Sequence, residues 1–169
     1  MPTSPAPAPS TSSPAPAPVS TPQGTSPVLA AAAQQVLTTI NTARAQYGLP
    51  AYTMSSGLVL SATRHNAVMA GGCGLSHQCP GEPPLGTRET DAGVHWSGAG
   101  ECIGSGGPVT DSVAGIGGMA VALTKSMLAE KPPNDGHRQI ILSNGYYHVG
   151  IAVTIDSHGV VWLTQDYSD

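Results

Sequence analysis

Residues 147–167 read YHVGIAVTIDSHGVVWLTQDY. Two runs in this stretch, Tyr147 to Ile155 and Val160 to Tyr167, alternate apolar and polar with period two. Asp156-Ser157-His158-Gly159 joins them, so the stretch reads as a β-hairpin with one buried face. Moving upstream, the period changes from two to that of a helix. Asn134 or Asp135 can cap a short helix running through Leu142 and closed by Asn144-Gly145. Before it, Val113, Ile116, Ala120, Leu123 and Met127 form the stripe of a longer helix, weakened at its start by Gly115, Gly117 and Gly118.

Between Gly72 and Val109 the chain is rich in Gly and Pro and reads as irregular, with a short strand near Gly93 to Trp96. Two further helices precede that region. One carries Leu58, Ala62, His65 and Met69, starts at Ser55 or Ser56 and ends at Gly71-Gly72. The other carries Val36, Ile40, Ala43 and Tyr47 and is stopped by Gly48 and Pro50. Helices first and strands last predict an antiparallel sheet covered by helices, which is α+β in class and not a βαβ wind.

Residues 1–27 are almost wholly Pro, Ala, Ser and Thr and hold nine of the 16 prolines. With no charge and little apolar bulk they cannot offset the entropy of ordering, so they read as a disordered linker ahead of a domain spanning 28–169. Alternating Ala-Pro favours an extended spacer, and Ser/Thr with Pro is the composition of stalks on exported proteins. No charged start followed by an apolar stretch is present, so a signal or lipoprotein segment is expected to have been removed ahead of Met1. The expected location is extracellular or cell-surface.

Only 9% of the 169 residues are charged, and the formal net charge is −4. The six cations, Arg44, Arg64, Arg88, Lys125, Lys131 and Arg138, are scattered, which excludes a nucleic-acid footprint and a polybasic membrane patch. No stretch approaches the roughly 20 apolar residues of a transmembrane span. The domain is read as a monomer.

Scarce charge makes each inward-pointing ionisable group informative. Glu130 extends the stripe of the third helix, so its carboxylate would point inward and need a cation or a proton. Equally, the helix could end before it, since Pro132-Pro133 follow. His137 opens the fourth helix beside Gly136, His77 lies in a loop between Cys73 and Cys79, and Glu101 stands between glycines in Gly100-Glu101-Cys102-Ile103-Gly104. None has local metal-ligand spacing such as H-E-x-x-H. His65 reads as a core histidine, His95, His148 and His158 as structural, and Trp96 and Trp162 as packing anchors. There is no G-x-S-x-G elbow, and glycine-rich Gly98 to Gly107 lacks the context of a phosphate loop. Cys73 and Cys79 can pair across a short loop that would pin His77, leaving Cys102 free; Cys102 could instead pair with either.

Motifs spread over residues 34–169 resemble the CAP superfamily (cysteine-rich secretory proteins, antigen 5, pathogenesis-related 1), in its bacterial extracellular SCP-like branch. They are Asn41-Thr-Ala-Arg44 with Tyr47-Gly-Leu49, Leu58-x-x-x-Ala62-x-x-His65-x-x-x-Met69, Leu75-Ser-His77, Gly100-Glu101-x-Ile103, Gly136-His137-Arg138, Val149-Gly-Ile151 and Trp162-x-Thr-Gln165-Asp-Tyr167. The resemblance implies a three-layer α-β-α sandwich with a central antiparallel sheet. It also implies a cleft holding two histidines and two acids, here His77, Glu101, Glu130 and His137, with Glu130 turned inward. Cys102 stands where the family motif carries Asn, and Met127 stands where it usually carries Trp three residues before the second acid.

Two imidazoles facing two carboxylates suit a divalent metal, zinc first, with His77 and His137 as ligands and no organic cofactor. The resemblance implies varied roles: lipid or sterol binding, partner binding and proteolysis. The favoured expectation is a secreted binding module whose cleft takes a metal and a small or lipid-like ligand, an extracellular protein or an envelope component. The alternatives are a metal-dependent hydrolase with Glu101 or Glu130 as catalytic base, and an envelope interaction protein whose tetrad is only structural.

Overall fold

The computed structural model describes residues 26–169, so nearly all of the expected 1–27 linker lies outside the described residues. The hairpin forms where the alternation placed it. β3 (His148–Ile155) and β4 (Val161–Ser168) pair antiparallel with Ile155 opposite Val161, around the expected turn. Asp156 fixes that turn, its Oδ1 accepting the backbone N–H groups of His158 and Val160. β2 (Ala99–Gly106) lies antiparallel on the far side of β4, and β1 (Thr53–Met54) lies parallel to β3, giving the order β1-β3-β4-β2. The sheet is thus mixed, its single parallel pairing confined to a two-residue edge strand.

Helices cover both faces. α1 (Pro27–Gln46) and α4 (Val113–Leu128) pack against each other and on one face, with α5 (Gly136–Ile141) closing the end near β2. Val149, Ile151 and Val153 of β3 and Val161, Leu163 and Tyr167 of β4 point to this side. They meet Ala32, Val36 and Ile40 of α1 and Ile116, Ala120 and Met127 of α4. α2 (Ser56–Val68) and α3 (Leu85–Asp91) cover the other face. There Asn66 donates to the carbonyls of Ala152 and Trp162 and accepts from the Thr164 hydroxyl, stapling α2 to two strands. The stripe Leu58, Ala62, His65 and Met69 is wholly buried, as its period predicts. α2 ends in a π-helical turn, Met69–Cys73, closed by Gly72 at φ 123°.

Three local expectations are corrected. No strand runs from Gly93 to Trp96; the strand is Ala99–Gly106, and the preceding stretch read as irregular also contains α3. Glycines hid β2, and they are there for packing. A Cβ on Gly104 would lie 3.1 Å from Met127 Cε, and one on Gly106 2.7 Å from Met119 Sδ, so their absence lets α4 sit close to the strand. The stripe of α1 continues through Arg44 and not through Ala43 and Tyr47, the latter being 57% exposed. Arg44 is buried because its guanidinium donates to the carbonyls of Pro50, Ile141 and Ser143 and stacks 3.5 Å from the Tyr52 ring centre. A cation is well placed there, since Ile141 and Ser143 mark the C-terminal end of α5. Finally, α4 ends at Leu128, so Glu130 lies beyond the helix and its direction is set by the following turn, not by the apolar stripe.

Candidate functional site

The residues expected to form the tetrad come from four separate elements and meet at the β2 edge of the sheet. Cys73 and Cys79 are joined, with Cα atoms 5.9 Å apart, so the loop carrying His77 is tied to the end of α2. Cys102 is left as a free, buried thiol. Glu101 is on β2, opposite Asp166 of β4, on the face covered by α2 and α3. Glu130 follows α4, and His137 is the second residue of α5. His77, Glu101, Glu130 and His137 line one open cleft of about 360 Å³, together with Asn134, Gly136 and Ile140.

The cleft is built from two carboxylate–imidazole pairs. His77 Nδ1 lies 2.8 Å from Glu101 Oε1, and His137 Nδ1 lies 2.5 Å from Glu130 Oε1. Both acids are held as acceptors by other donors. Arg88 Nη2 donates to Glu101 Oε2 at 2.7 Å, and the His137 backbone N–H donates to Glu130 Oε2 at 3.0 Å. Each histidine therefore carries its proton on Nδ1, which leaves Nε2 with a lone pair. Burial works to raise the Glu101 carboxyl, but hydrogen bonds from His77 and Arg88 and the charges of Arg88 and His65 outweigh it. The carboxyl lies below the ordinary carboxylate range.

This arrangement is how metal-binding histidines are usually oriented: Nδ1–H to a carboxylate, Nε2 to the ion. A ring centre sits about 3 Å from an ion bound through Nε2, so two rings sharing a tetrahedral ion stand about 5 Å apart. The ring centres of His77 and His137 are 6.4 Å apart. That spacing is wider than one shared ion needs, and His77, 57% exposed on its loop, is the less buried of the two rings.

A second set of donors lies behind the cleft. His65 Nδ1 is 2.9 Å from both oxygens of Glu82, and its buried Nε2 has no hydrogen-bond partner, 3.7 Å from Glu101 Oε2. His65 is thus in the core as expected, but it is an ionisable neighbour of the cleft and not a fully satisfied side chain. Cys79 also comes within 4.8 Å of the His65 and Glu82 donor atoms. Its sulfur is bonded to Cys73 and offers no thiolate, so this group is a poor metal site. Arg88, Glu82 and Asn134 are the site residues that sequence reasoning missed. Arg88 and Glu82 were concealed with α3 in the stretch read as irregular, although a cation and an acid in so charge-poor a chain were a usable signal. His95, His148 and His158 do not line the cleft. A wider depression on the outer side of α1, lined by Gln34, Asn41 and Thr42 among others, carries no charged group.

The α-β-α layering and a cleft fed by two carboxylate–imidazole pairs agree with one protein class, and the sequence matches that class directly. The chain belongs to the CAP family, the cysteine-rich secretory protein family, whose model matches residues 37–167. Its fold is similar to that of an extracellular SCP-domain protein from Bacillus anthracis, at 21% identity and TM-score 0.63, over 83% of this chain and 41% of that one. An outer surface protein of Borrelia burgdorferi is similar at 10% identity and TM-score 0.67, covering 82% of this chain and 92% of the other. A cysteine-rich secretory protein of Staphylococcus aureus follows at 15% identity and TM-score 0.59, over 83% and 38%. The chain therefore spans less than half the length of the Bacillus and Staphylococcus proteins. No functionally curated protein matches it in sequence.

Proposed function

We propose that this is a secreted or cell-surface binding module whose cleft holds a divalent metal, zinc first, through Nε2 of His77 and His137. One observation carries the reading: both imidazoles have Nδ1 committed to a carboxylate, so both keep Nε2 free as a donor atom. Glu101 and Glu130 orient the ligands. The metal, when bound, would supply a positive centre that attracts an anionic or carbonyl group of a small or lipid-like ligand or of an envelope partner. The rest of the cleft offers Asn134 for hydrogen bonding and Ile140 for apolar contact. A disulfide at Cys73–Cys79 suits an oxidising compartment, and no helix among the described residues is long and apolar enough to cross a membrane.

Hydrolysis is the weaker reading, because a general base works best with a proton affinity matched to neutral pH. Hydrogen bonds from His77 and Arg88 hold the Glu101 carboxyl below the ordinary carboxylate range, which makes it a weak base. Zinc titration calorimetry near pH 7.5 tests the proposal on the wild type and on His77→Ala/His137→Ala, with melting curves of both. Saturable binding that is lost in a folded variant is the expected result. No heat of binding in the wild type, with a variant that melts much earlier, would make the tetrad a structural network instead.

A further inference from the structure

We infer that Arg88 is the positioning residue of this cleft: it orients Glu101 and the His77 loop together, and so decides which nitrogen of His77 is free to bind. The inference rests on the reading of His77 as a metal ligand. Its geometry is a closed triangle. Arg88 Nη2 donates to Glu101 Oε2 at 2.7 Å, and the same nitrogen lies 3.4 Å from the backbone carbonyl of His77, whose ring Nδ1 meets Glu101 Oε1 at 2.8 Å. One guanidinium thus fixes both the acid and the backbone of the residue that the acid orients. Arg88 is only 5% exposed, and its Nη1 lies 3.9 Å from Glu82 Oε1, a charge contact without a hydrogen bond, so the hydrogen bonds of the guanidinium all run from Nη2 to Glu101 and the His77 carbonyl.

No other group among the described residues does this. His65 is the nearest alternative, but its Nε2 lies 3.7 Å from Glu101 Oε2, beyond hydrogen-bond distance, and has no hydrogen-bond partner. Asp166 faces Glu101 across the strand pair but makes no hydrogen bond to it. Without Arg88, one Glu101 oxygen has no donor, and the carboxylate can swing away from His77. The ring, already half exposed, would then lose the acceptor that keeps its proton on Nδ1. A proton on Nε2 would block that nitrogen as a ligand. Loss of such an outer partner typically weakens metal binding ten- to a hundredfold.

The test is a double-mutant cycle with two readouts. Nitrogen-15 NMR of the His77 ring at pH 8, with chelator present, reads the tautomer without any metal; zinc or cobalt titration reads affinity. The wild type is expected to carry the proton on Nδ1. Arg88→Met is expected to move His77 toward the Nε2–H form and to lower affinity at least tenfold, and Arg88→Lys to recover part of both. On a Glu101→Gln background, Arg88→Met is expected to change neither readout further, because Arg88 acts through Glu101. Should Arg88→Met alone fail to fold, Glu101→Gln and the double variant leave no buried uncompensated carboxylate at this point and decide the matter between them. An unchanged tautomer in Arg88→Met, or a further loss on the Glu101→Gln background, overturns the inference. If the tautomer moves as expected but the wild type binds no metal, Arg88 keeps its role and the metal reading falls.

Discussion

Glu89 should make the folded protein lose stability as pH rises from 4.5 to about 7, and Glu89→Gln should abolish that loss. The side chain lies on α3 and is wholly buried, and neither carboxylate oxygen has a hydrogen-bond partner. Burial first, then the charges of Glu101 and Asp169, push its carboxyl from 4.5 up to about 7, against the pull of the Arg88 cation. Between those two values the native chain keeps a proton that the unfolded chain has released. Stability therefore falls as pH rises from 4.5 to 7 and falls no further from this group above 7. At about 1.4 kcal/mol per pH interval of one, the loss comes to about 3 kcal/mol. That is a large share of the roughly 5–15 kcal/mol that holds a domain folded.

Glutamine is close to the neutral acid in shape and carries no charge at any of these pH values, so the variant lacks the loss. Urea unfolding followed by Trp96 and Trp162 fluorescence, with the disulfide intact, gives both stabilities from pH 4.5 to 8. The variant should match the wild type at pH 4.5 and exceed it by about 3 kcal/mol at pH 8. Two other shifted carboxyls should largely cancel in the difference. Burial, then the Glu101 charge, holds Asp166 well above the usual range in both proteins. Glu101, held below its ordinary range, contributes stability that is lost only at the acid end. A difference that stays flat with pH would refute the reasoning. It would mean that Glu89 is solvated or paired in solution.

Further perturbations test the packing. Cys73→Ala/Cys79→Ala, which opens a loop of sequence separation six, should cost about 2 kcal/mol in urea unfolding. Gly150→Ala should cost about 3 kcal/mol, because its Cβ would lie 2.0 Å from the Leu58 carbonyl carbon, in the backbone of α2. Gly118→Ala, in α4 with nothing within 4 Å of the added carbon, should instead raise stability by up to about 1 kcal/mol in the same assay.

The parts of the fold that were legible in the sequence are those where large side chains carry the period. Val149, Ile151 and Val153 alternate in β3, and Leu58, Ala62, His65 and Met69 recur along α2, and all of them are buried. β2 was illegible because Gly100, Gly104 and Gly106 occupy its face toward Tyr146 and α4, so a close helix–strand contact leaves a weak signal. The two-residue β1 is too short to show a period, and its pairing with β3 is a tertiary fact. Arg44 misled for the opposite reason. Its side chain is charged, yet carbonyls at the end of α5 and the Tyr52 ring make burial favourable, and neither is visible from within α1.

The cleft was legible only through its motifs, since no local spacing joins His77 to Glu101 or Glu130 to His137. The stripe argument for Glu130 fails on the observed helix end, yet the carboxylate still reaches the cleft, drawn by the backbone N–H and ring of His137. The deeper part of the site follows from charge balance. Glu82, Glu89, Glu101 and Asp166 put four acids around one permanent cation, Arg88, with His65 between Glu82 and Glu101. One guanidinium cannot stabilise four buried anions. The acid bonded to it, Glu101, stays an anion, while burial favours the protonated forms of Glu89 and Asp166. Arg88 thereby singles out the carboxylate that faces the cleft, and a chain with so few cations has no nearby substitute for it.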